Sequence, residues 1–351
     1  MSEILTCTWA PTAMSVPRLS KKSRSESGIA IPDLSAPALK EHLIAPVRLA
    51  EQLGIDCLLV AQRWWGTGDE IEGSTYDCLA MTAIYAAHTE RIRLITAIHP
   101  GFFLPGPIAK WGATIDRITG GRWAINVTSG WHEAEFGMYG AELLEHDDRY
   151  ARSREFIEIL RRAWSGDAIN FEGRFYNLRG LRLEPRPVSR GIEVWQGGQS
   201  EAAIAMAAQC SDWMFLNGGP PEKIARIIEK VRIQADAARR RVRFALYAIP
   251  LCRSTDAEAE NQIEKMIASI DAETVARKRA RTSGARGMWS ATDDPLTLLD
   301  TNEGYASRLI GSPQTIVRKI REFHALGVDC LHLTLHDQLF NREVLPALRA
   351  D

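Results

Sequence analysis

The 351-residue sequence lacks several features that would place a protein in a class at once. Its formal net charge is only −1, which argues against a surface built to bind nucleic acid. It contains no apolar run of roughly 18 residues or more, and no apolar signal segment opens it, which argues against a membrane-spanning protein. We therefore predict a soluble, cytoplasmic protein.

Familiar chemical motifs are also missing. The six cysteines stand singly with no CxxC spacing, so reduced thiols are favoured over a disulfide framework or a metal site. The eight histidines form no HxxxH or HExxH pattern, which weakens metal binding. The absence of GxGxxG speaks against a dinucleotide-binding Rossmann site, and the absence of GxSxG against a serine-hydrolase elbow.

Apolar strand patterns and helical patterns alternate along the chain. Eight short, mostly apolar runs predict strands: Ile4–Trp9, Asp56–Ala61, Arg93–Ile98, Arg122–Val127, Ile192–Gln196, Asp212–Leu216, Val242–Leu251 and Asp329–Leu335. The helical patterns between and after them are Ala36–Leu53, Tyr76–His88, Pro107–Ile118, Ala151–Trp164, Ser200–Gln209, Pro221–Arg239, Ala257–Arg279 and Ser312–Leu326. Buried parallel strands with helices between them predict an α/β fold, a (β/α)8 TIM barrel forming one domain over residues 1–351. A doubly wound open sheet is the alternative.

Three segments are longer than ordinary connections. They are the polar stretch Thr12–Pro32, the region 166–190 with a predicted hairpin over Arg174–Leu183, and Thr282–Gly304. Long insertions at the C-terminal face of a barrel often gate its mouth, but they are equally often plain surface loops. The sequence leaves both readings open for Thr12–Pro32 and Thr282–Gly304.

The stretch from Gly121 to Tyr150 is rich in side chains that can do chemistry. A buried strand pattern ends at Val127, and about twenty residues of predicted loop precede the helix at Ala151. In parallel barrels the loops that follow strands carry the active site. We therefore predict that this segment forms one wall of the site, with these polar and aromatic candidates: Asn126, Thr128, Ser129, Trp131, His132, Glu135, His146, Arg149 and Tyr150.

Large aromatic residues recur where the predicted strands end. A pocket of aromatic walls with few hydrogen-bonding groups suits a large flat ligand and a reaction that excludes water. Some of these residues could equally be core. The aromatic residues concerned are Trp64, Trp65, Phe102, Phe103 and Trp131.

The GGQS sequence at 197–200 offers a phosphate site. It lies between a predicted strand and the helix that follows, so its backbone N–H groups and the Ser200 hydroxyl meet at a helix N-terminus, which favours an anion. Arg149 could add a bidentate contact. Glycines in such turns often serve the turn alone, but the aromatic mouth and Arg149-Tyr150 together favour a phosphorylated planar cofactor.

Five blocks of the chain resemble the luciferase-like flavin-dependent monooxygenases. They are ATIDRITGGRWAINVTSGWHEAEF from Ala113, EHDDRYARSREFIEILRRAW from Glu145, FEGRFYNL from Phe171, VWQGGQSEAAIAMAAQCSDWMFLNG from Val194 and SRLIGSPQTIVRKI from Ser307. The resemblance is to the branch of dimethylsulfone, alkanesulfonate and pyrimidine enzymes. It implies a (β/α)8 barrel that uses reduced FMN and O2, a separate NAD(P)H-dependent flavin reductase as partner, and a homo-oligomer, dimer or tetramer.

The resemblance also implies roles for individual residues. Asn126 and Glu135 match contacts to the flavin ring, Ala61-Gln62 matches a segment beside the ring edge, and Arg149, Tyr150 and Ser200 match phosphate contacts. Asn126 and His336 are the catalytic candidates, Asn126 by hydrogen bonding and His336 as a proton donor at a strand end. The predicted substrate pocket consists of Arg63, Trp64, Phe102, Trp131 and Tyr247.

The substrate positions depart from the pattern of the alkanesulfonate enzymes. Where those enzymes carry arginine, histidine and tyrosine, this chain reads Tyr247, Ile249 and His336, so a sulfonate anion would lose a charged partner. A neutral substrate, or one recognised by Arg63, fits better. The predicted function is an FMNH2- and O2-dependent monooxygenase for a small organosulfur compound, such as dimethylsulfone or an alkanesulfonate. The alternatives are a deazaflavin-dependent dehydrogenase and a non-catalytic flavin-binding protein.

Overall fold

A closed barrel of eight parallel strands forms the centre of the protein. The computed structural model describes residues 4–11, 35–64, 75–273, 275–276, 294–300 and 302–349. The barrel strands, numbered with the strands outside the barrel in one series, are β1 Leu5–Trp9, β2 Cys57–Val60, β3 Arg93–Ile98, β4 Trp123–Val127, β7 Val194–Gly197, β8 Trp213–Leu216, β9 Arg243–Ala248 and β12 Cys330–Leu333. They close in the order β1-β12-β9-β8-β7-β4-β3-β2. The predicted TIM barrel and all eight predicted strands are confirmed, with boundaries shifted by up to three residues.

Helices surround the barrel. They are α1 Ala36–Gln52, α2 Cys78–Ala86, α3 Pro105–Ile118, α4 Glu133–Met138, α5 His146–Ser165, α6 Glu201–Cys210, α7 Pro221–Ala237, α8 Asp256–Ala268, α9 Pro313–Leu326 and α10 Leu345–Ala347. The ends of α9 follow the sequence signals: Ser312 accepts the Thr315 N–H as N-cap, and Gly327 ends the helix at φ 106°. None of the helices in the described ranges is both long and apolar enough to cross a bilayer.

Small pieces of structure lie outside the barrel. An antiparallel hairpin joins β5 Ile169–Glu172 to β6 Asn177–Leu181, and a short parallel pair joins β10 Leu251–Cys252 to β11 Ile310–Gly311. Two 3₁₀ turns, Pro295–Leu298 and Gly304–Ser307, precede β11, and a π-helical turn, Phe340–Val344, precedes α10.

Two apolar layers follow from the alternation of side chains along each strand. The larger core lies between the outer face of the barrel and the helices, and includes Leu58, Leu94, Ile125 and Phe244. A smaller core fills the barrel interior, and its buried members are Cys7, Cys57, Leu59, Ile95, Ala124, Trp195, Trp213, Ala245 and Cys330. All six cysteines lie in described ranges and are free thiols, as predicted.

The N-terminal end of the barrel interior is filled by charged and aromatic side chains. Glu193 accepts hydrogen bonds from both Arg93 and Arg243. Immediately inside, Trp195 and Trp213 stack in parallel with ring centroids 4.1 Å apart. The Arg243 guanidinium lies 4.0 Å from the Trp213 ring centroid. We call these five residues the bottom plug.

Two local predictions near the site were wrong. The helix predicted to begin at Ala151, α5, begins at His146, because Asp147 and Asp148 in its first turn interact favourably with the helix dipole. A further short helix, α4, interrupts the predicted loop before it. The hairpin pairs 169–172 with 177–181, so Arg174 lies in its turn and not at its start.

Some predictions fall outside what the structure describes. The segment Thr12–Pro32, the part 282–293 of the second candidate gate, and Trp65 lie outside the described residues. Their proposed roles stay predictions. The reading of residues 1–351 as one domain also stays a prediction.

Candidate active site

The C-terminal ends of the barrel strands form a mouth with two chemically different halves. A polar half follows β2, β3, β4 and β7 and includes the first turns of α4 and α5; its residues are Gln62, His99, Asn126, Glu135, Arg149, Tyr150, Gly198 and Ser200. An aromatic half follows β1, β8, β9 and β12, and consists of Trp9, Phe215, Tyr247 and His332. The structure therefore brings all predicted cofactor residues to one side of the mouth.

Two buried amides in the polar half each leave one atom without a partner. Gln62 Oε1 accepts the His99 N–H at 2.8 Å, while Gln62 Nε2 has no hydrogen-bond partner among the described residues. Asn126 Nδ2 donates a hydrogen bond to Thr128 Oγ1 at 3.4 Å, and Asn126 Oδ1 has no hydrogen-bond partner among the described residues. An unsatisfied buried polar atom costs roughly 1–3 kcal/mol, so such atoms mark places where a ligand completes the set. One unused donor and one unused acceptor suit a planar ring that carries both.

The turn after β7 forms a cradle at the N-terminus of α6. Gly198 has φ 121°, and a Cβ there would lie 2.9 Å from the Tyr150 hydroxyl oxygen. The Tyr150 hydroxyl is hydrogen-bonded to the Ser200 side chain. Ser200 Oγ also accepts the Ala203 N–H at 3.2 Å as the helix cap. Only glycine combines this backbone angle with room for the tyrosine.

Positive charge stands beside the cradle. Arg149 is buried and precedes Tyr150 near the start of α5. Burial raises the pKa of the Tyr150 hydroxyl, and the positive charge of Arg149 partly offsets this rise. A hydroxyl pair, a helix N-terminus and a guanidinium together form a site for a phosphate group. The residues present would therefore suit a phosphorylated planar cofactor such as FMN, with a phosphate at the cradle and a ring near Gln62 and Asn126.

Glu135 connects the loop after β2 to α4. It is 2% exposed, and its Oε1 accepts the Trp64 N–H at 2.8 Å. Ala61 is half-buried at the end of β2, just before Gln62. The carboxylate therefore holds the backbone of the predicted ring-edge segment in place.

An outer group of rings lies beyond the polar half. Trp64 contacts Phe102, Phe103 and Tyr139, with centroid distances of 5.2, 5.5 and 5.1 Å. Phe102 also packs on Phe136 at 4.4 Å. Trp131 packs edge-on against His132 at 5.1 Å. The structure thus places Trp64 and Phe102 in one cluster, where they can shield the mouth from water.

The aromatic half surrounds a buried histidine. The His332 ring lies 4.4 Å from Trp9, 5.3 Å from Phe215 and 5.3 Å from Tyr247, between centroids. His332 is 2% exposed, and in the described structure its Nε2 has no hydrogen-bond partner. Trp9 was predicted at the mouth, within Thr8–Ala10, whereas neither Phe215 nor His332 was predicted as a site residue. Strand alternation was the available signal, since it turns positions 9, 215 and 332 to the interior.

Tyr247 lies between the aromatic half and a charged group. Burial raises its pKa well above the ordinary value, as does Asp300, while a side-chain hydrogen bond with Trp9 and the nearby charge of Arg63 lower it. The same Arg63 helps to lower the pKa of His99. Arg63 therefore stands near both halves. Arg63 and Tyr247, which were predicted to line the substrate pocket, both lie at the mouth.

The predicted proton donor is placed differently from expectation. His336 was expected to end the last strand, but β12 ends at Leu333 and His336 is exposed three residues further on. The chain leaves the sheet after Leu333, so the alternation that turns 330 and 332 inward does not continue to 336. Its catalytic role stays a prediction.

Two buried histidines predict acid sensitivity. Burial lowers the pKa of His332 to about 3, and burial together with Arg63 and Arg152 lowers the pKa of His99 to about 3. The unfolded state therefore binds more protons below pH ~6.5, the ordinary histidine value. Above that pH the two histidines should not change the free energy of unfolding. As the pH drops toward 3, each histidine should lower the free energy of unfolding by up to about 1.4 kcal/mol per pH unit.

Denaturant unfolding measured at a series of pH values tests this expectation. A His332→Phe variant should lose less stability between pH 6.5 and pH 4 than the unchanged protein. Equal losses in both proteins would contradict it.

Comparison with known sequences identifies close relatives. The family described as luciferase-like monooxygenase matches residues 27–330. An FMNH2-dependent dimethylsulfone monooxygenase of Pseudomonas fluorescens (strain Pf0-1) is 37% identical over 317 residues, covering 86% of this chain and 85% of that protein. A protein of the same description from Pseudomonas putida is 36% identical, covering 86% of each.

Comparison with solved structures agrees on the fold. The crystal structure of DmoA from Hyphomicrobium sulfonivorans superposes with a TM-score of 0.74 at 19% identity, covering 99% of this chain and 88% of that one. At this level of identity the likeness concerns the barrel and not the chemistry.

Proposed function

The chain belongs to the luciferase-like monooxygenase family, and on that premise we propose that it oxygenates dimethylsulfone or a similar small neutral organosulfur compound, using reduced FMN and O2. The observation that carries the proposal is the division of the mouth. A polar half whose residues would suit FMN stands opposite an aromatic half with few hydrogen-bonding groups, which would suit a small and mostly apolar molecule. The names of the relatives support the choice of sulfone.

The cofactor contacts are proposed residue by residue. Arg149, Tyr150, Ser200 and the Gly198 turn would hold the phosphate, because they combine a guanidinium, two hydroxyls and a helix N-terminus. Gln62 Nε2 and Asn126 Oδ1 would meet the ring, since both are buried and lack another partner in the described part of the chain. Ala61 and Glu135 would act by fixing that edge.

Reduced FMN, when bound, supplies the electrons that allow one atom of O2 to enter the substrate and the other to become water. The side chains have two tasks around it. Trp64 and Phe102 exclude water from the mouth, which prevents wasteful oxidation of the flavin. Asn126 would hold the ring through its Oδ1, which has no hydrogen-bond partner among the described residues.

The remaining expectations belong to the same proposal. A separate flavin reductase would supply the reduced FMN, as the FMNH2-dependent relatives suggest by name. A cytoplasmic location accords with six free thiols. A homo-oligomer remains our proposal for the quaternary state.

The direct test mixes the protein with chemically reduced FMN, O2 and dimethylsulfone, and follows loss of the sulfone by NMR together with O2 uptake. We expect sulfone loss that requires protein, reduced FMN and O2 together. Methanesulfonate and a reduced deazaflavin serve as matched comparisons. The proposal would be overturned if the sulfone stays intact and the protein instead uses the reduced deazaflavin to reduce another acceptor.

A further inference from the structure

His332 is the least explained polar group in the barrel. It lies beside the interior core of cysteine, aliphatic and aromatic side chains, next in register to Cys7 on one side and Tyr247 on the other. Its Nε2 is buried and has no hydrogen-bond partner among the described residues. An apolar residue would fill this position without leaving a polar atom unsatisfied, so the histidine needs another reason.

Three aromatic rings and two thiols surround His332. Trp9, Phe215 and Tyr247 present three ring surfaces to the imidazole at centroid distances of 4.4 to 5.3 Å. Below it, toward the bottom plug, lie the buried thiols of Cys7 and Cys330. Trp9 and Phe215 are only partly buried, so this group of rings lies at the floor of the mouth, on the side opposite the proposed phosphate cradle.

Two hydrogen-bond donors are available in this group of rings. A neutral imidazole can carry its proton on Nε2, and Nε2 has no competing partner. The Tyr247 hydroxyl shares a hydrogen bond with the Trp9 side chain; since an indole N–H can only donate, the tyrosine oxygen accepts and keeps its own proton to donate. Donors with aromatic walls suit a compact molecule that has acceptor oxygens and apolar ends.

We propose that His332 and Tyr247 bind the substrate by donating hydrogen bonds to its sulfonyl oxygens, with Trp9 and Phe215 packing on its methyl groups. The inference rests on the proposed function and names its substrate-binding residues. His332 acts here as a specificity residue for a neutral acceptor. Its pKa, lowered to about 3 by burial, keeps the ring uncharged, so a sulfonate anion gains no ion pair from it.

The first test measures binding without turnover. Binding of dimethylsulfone to the flavin-free protein is followed by ligand-observed NMR, beside dimethyl sulfide, which has no sulfonyl oxygens, and methanesulfonate, which is an anion. We expect the sulfone to bind tightest. His332→Phe should weaken sulfone binding about 10-fold, the value of one hydrogen bond, and leave dimethyl sulfide unchanged. Two results would overturn the inference. One is that His332→Phe weakens the binding of the sulfide and of the sulfone equally; the other is that the unchanged protein binds methanesulfonate most tightly.

The second test separates binding from catalysis. With saturating reduced FMN, His332→Phe should raise KM for the sulfone about 10-fold while FMN affinity stays constant. His332→Gln, whose amide can still donate, should recover most of the loss and guards against misfolding of the first variant. His324→Gln, on the surface helix α9, is the matched control. An unchanged KM in an active His332→Phe enzyme contradicts the inference; sulfone binding without any turnover contradicts only the proposed function.

Discussion

Replacing Gly218 by alanine is expected to destabilise the protein by about 3 kcal/mol, the upper end for forcing an extra methyl group into a packed site. Gly218 follows β8 and lies directly against the turn at 302–304. A Cβ at this position would be 1.8 Å from the Glu303 carbonyl oxygen and 2.5 Å from the carbonyl carbon. Both are backbone atoms, so no side-chain rotation relieves the clash.

The opposing turn is itself firmly held. Glu303 is 1% exposed, adopts a left-handed backbone conformation at φ 60°, and pairs through its carboxylate with Lys223 Nζ at 3.0 Å. The Gly218 N–H donates to the Asn302 carbonyl at 3.0 Å. The turn cannot move away without losing these contacts, so the cost falls on stability.

Gly197→Ala provides the control, because a Cβ there meets nothing within 4 Å and Gly197 ends a neighbouring barrel strand. Urea unfolding of both variants measures the difference. We expect Gly197→Ala to stay within about 0.5 kcal/mol of the unchanged protein, as ordinary substitutions do. Equal stability of the two variants would show that the 302–304 turn yields easily.

Replacing Arg149 by glutamine is expected to lower the affinity for FMN by 10- to 100-fold. A charge-assisted hydrogen bond contributes roughly 1.5–3 kcal/mol, and a buried guanidinium beside the cradle is placed to make such bonds to a phosphate. Riboflavin has the same ring without the phosphate. Its affinity should therefore change little, which separates a phosphate contact from general damage to the site.

Arg154→Gln is the matched control, since it removes the same charge from the same helix, α5, five residues further along the chain. Fluorescence quenching of the two flavins gives both dissociation constants. Parallel loss of FMN and riboflavin affinity in Arg149→Gln would argue against the phosphate role. So would an equal loss of FMN affinity in Arg154→Gln.

The barrel was predictable because its signals are local and repeated. Apolar runs such as Arg93–Ile98 are bounded by polar residues, glycine or proline. Ser312 and Pro313 mark the start of α9 in the sequence, and Gly327 marks its end. The start of α5 was missed for a physical reason. Acidic residues at 147–148 look like loop in composition, yet they stabilise a helix N-terminus.

The site was only half predictable. Gln62, Asn126, Glu135, Arg149, Tyr150 and Ser200 follow strands or lie in motifs, and the fold gathers them as expected. His332 and Phe215 lie within strands, where composition alone predicts core residues. Their significance depends on an atom without a partner and on rings brought together from distant strands, and neither is visible along the chain.

The bottom plug has a kinetic consequence. Since Arg93, Glu193 and Arg243 with the stacked tryptophans fill the N-terminal end of the barrel interior, a small molecule bound beside His332 would enter and leave through the mouth at the C-terminal end of the strands. Substrate and product would then share one route, and each product would have to leave before the next substrate molecule could bind.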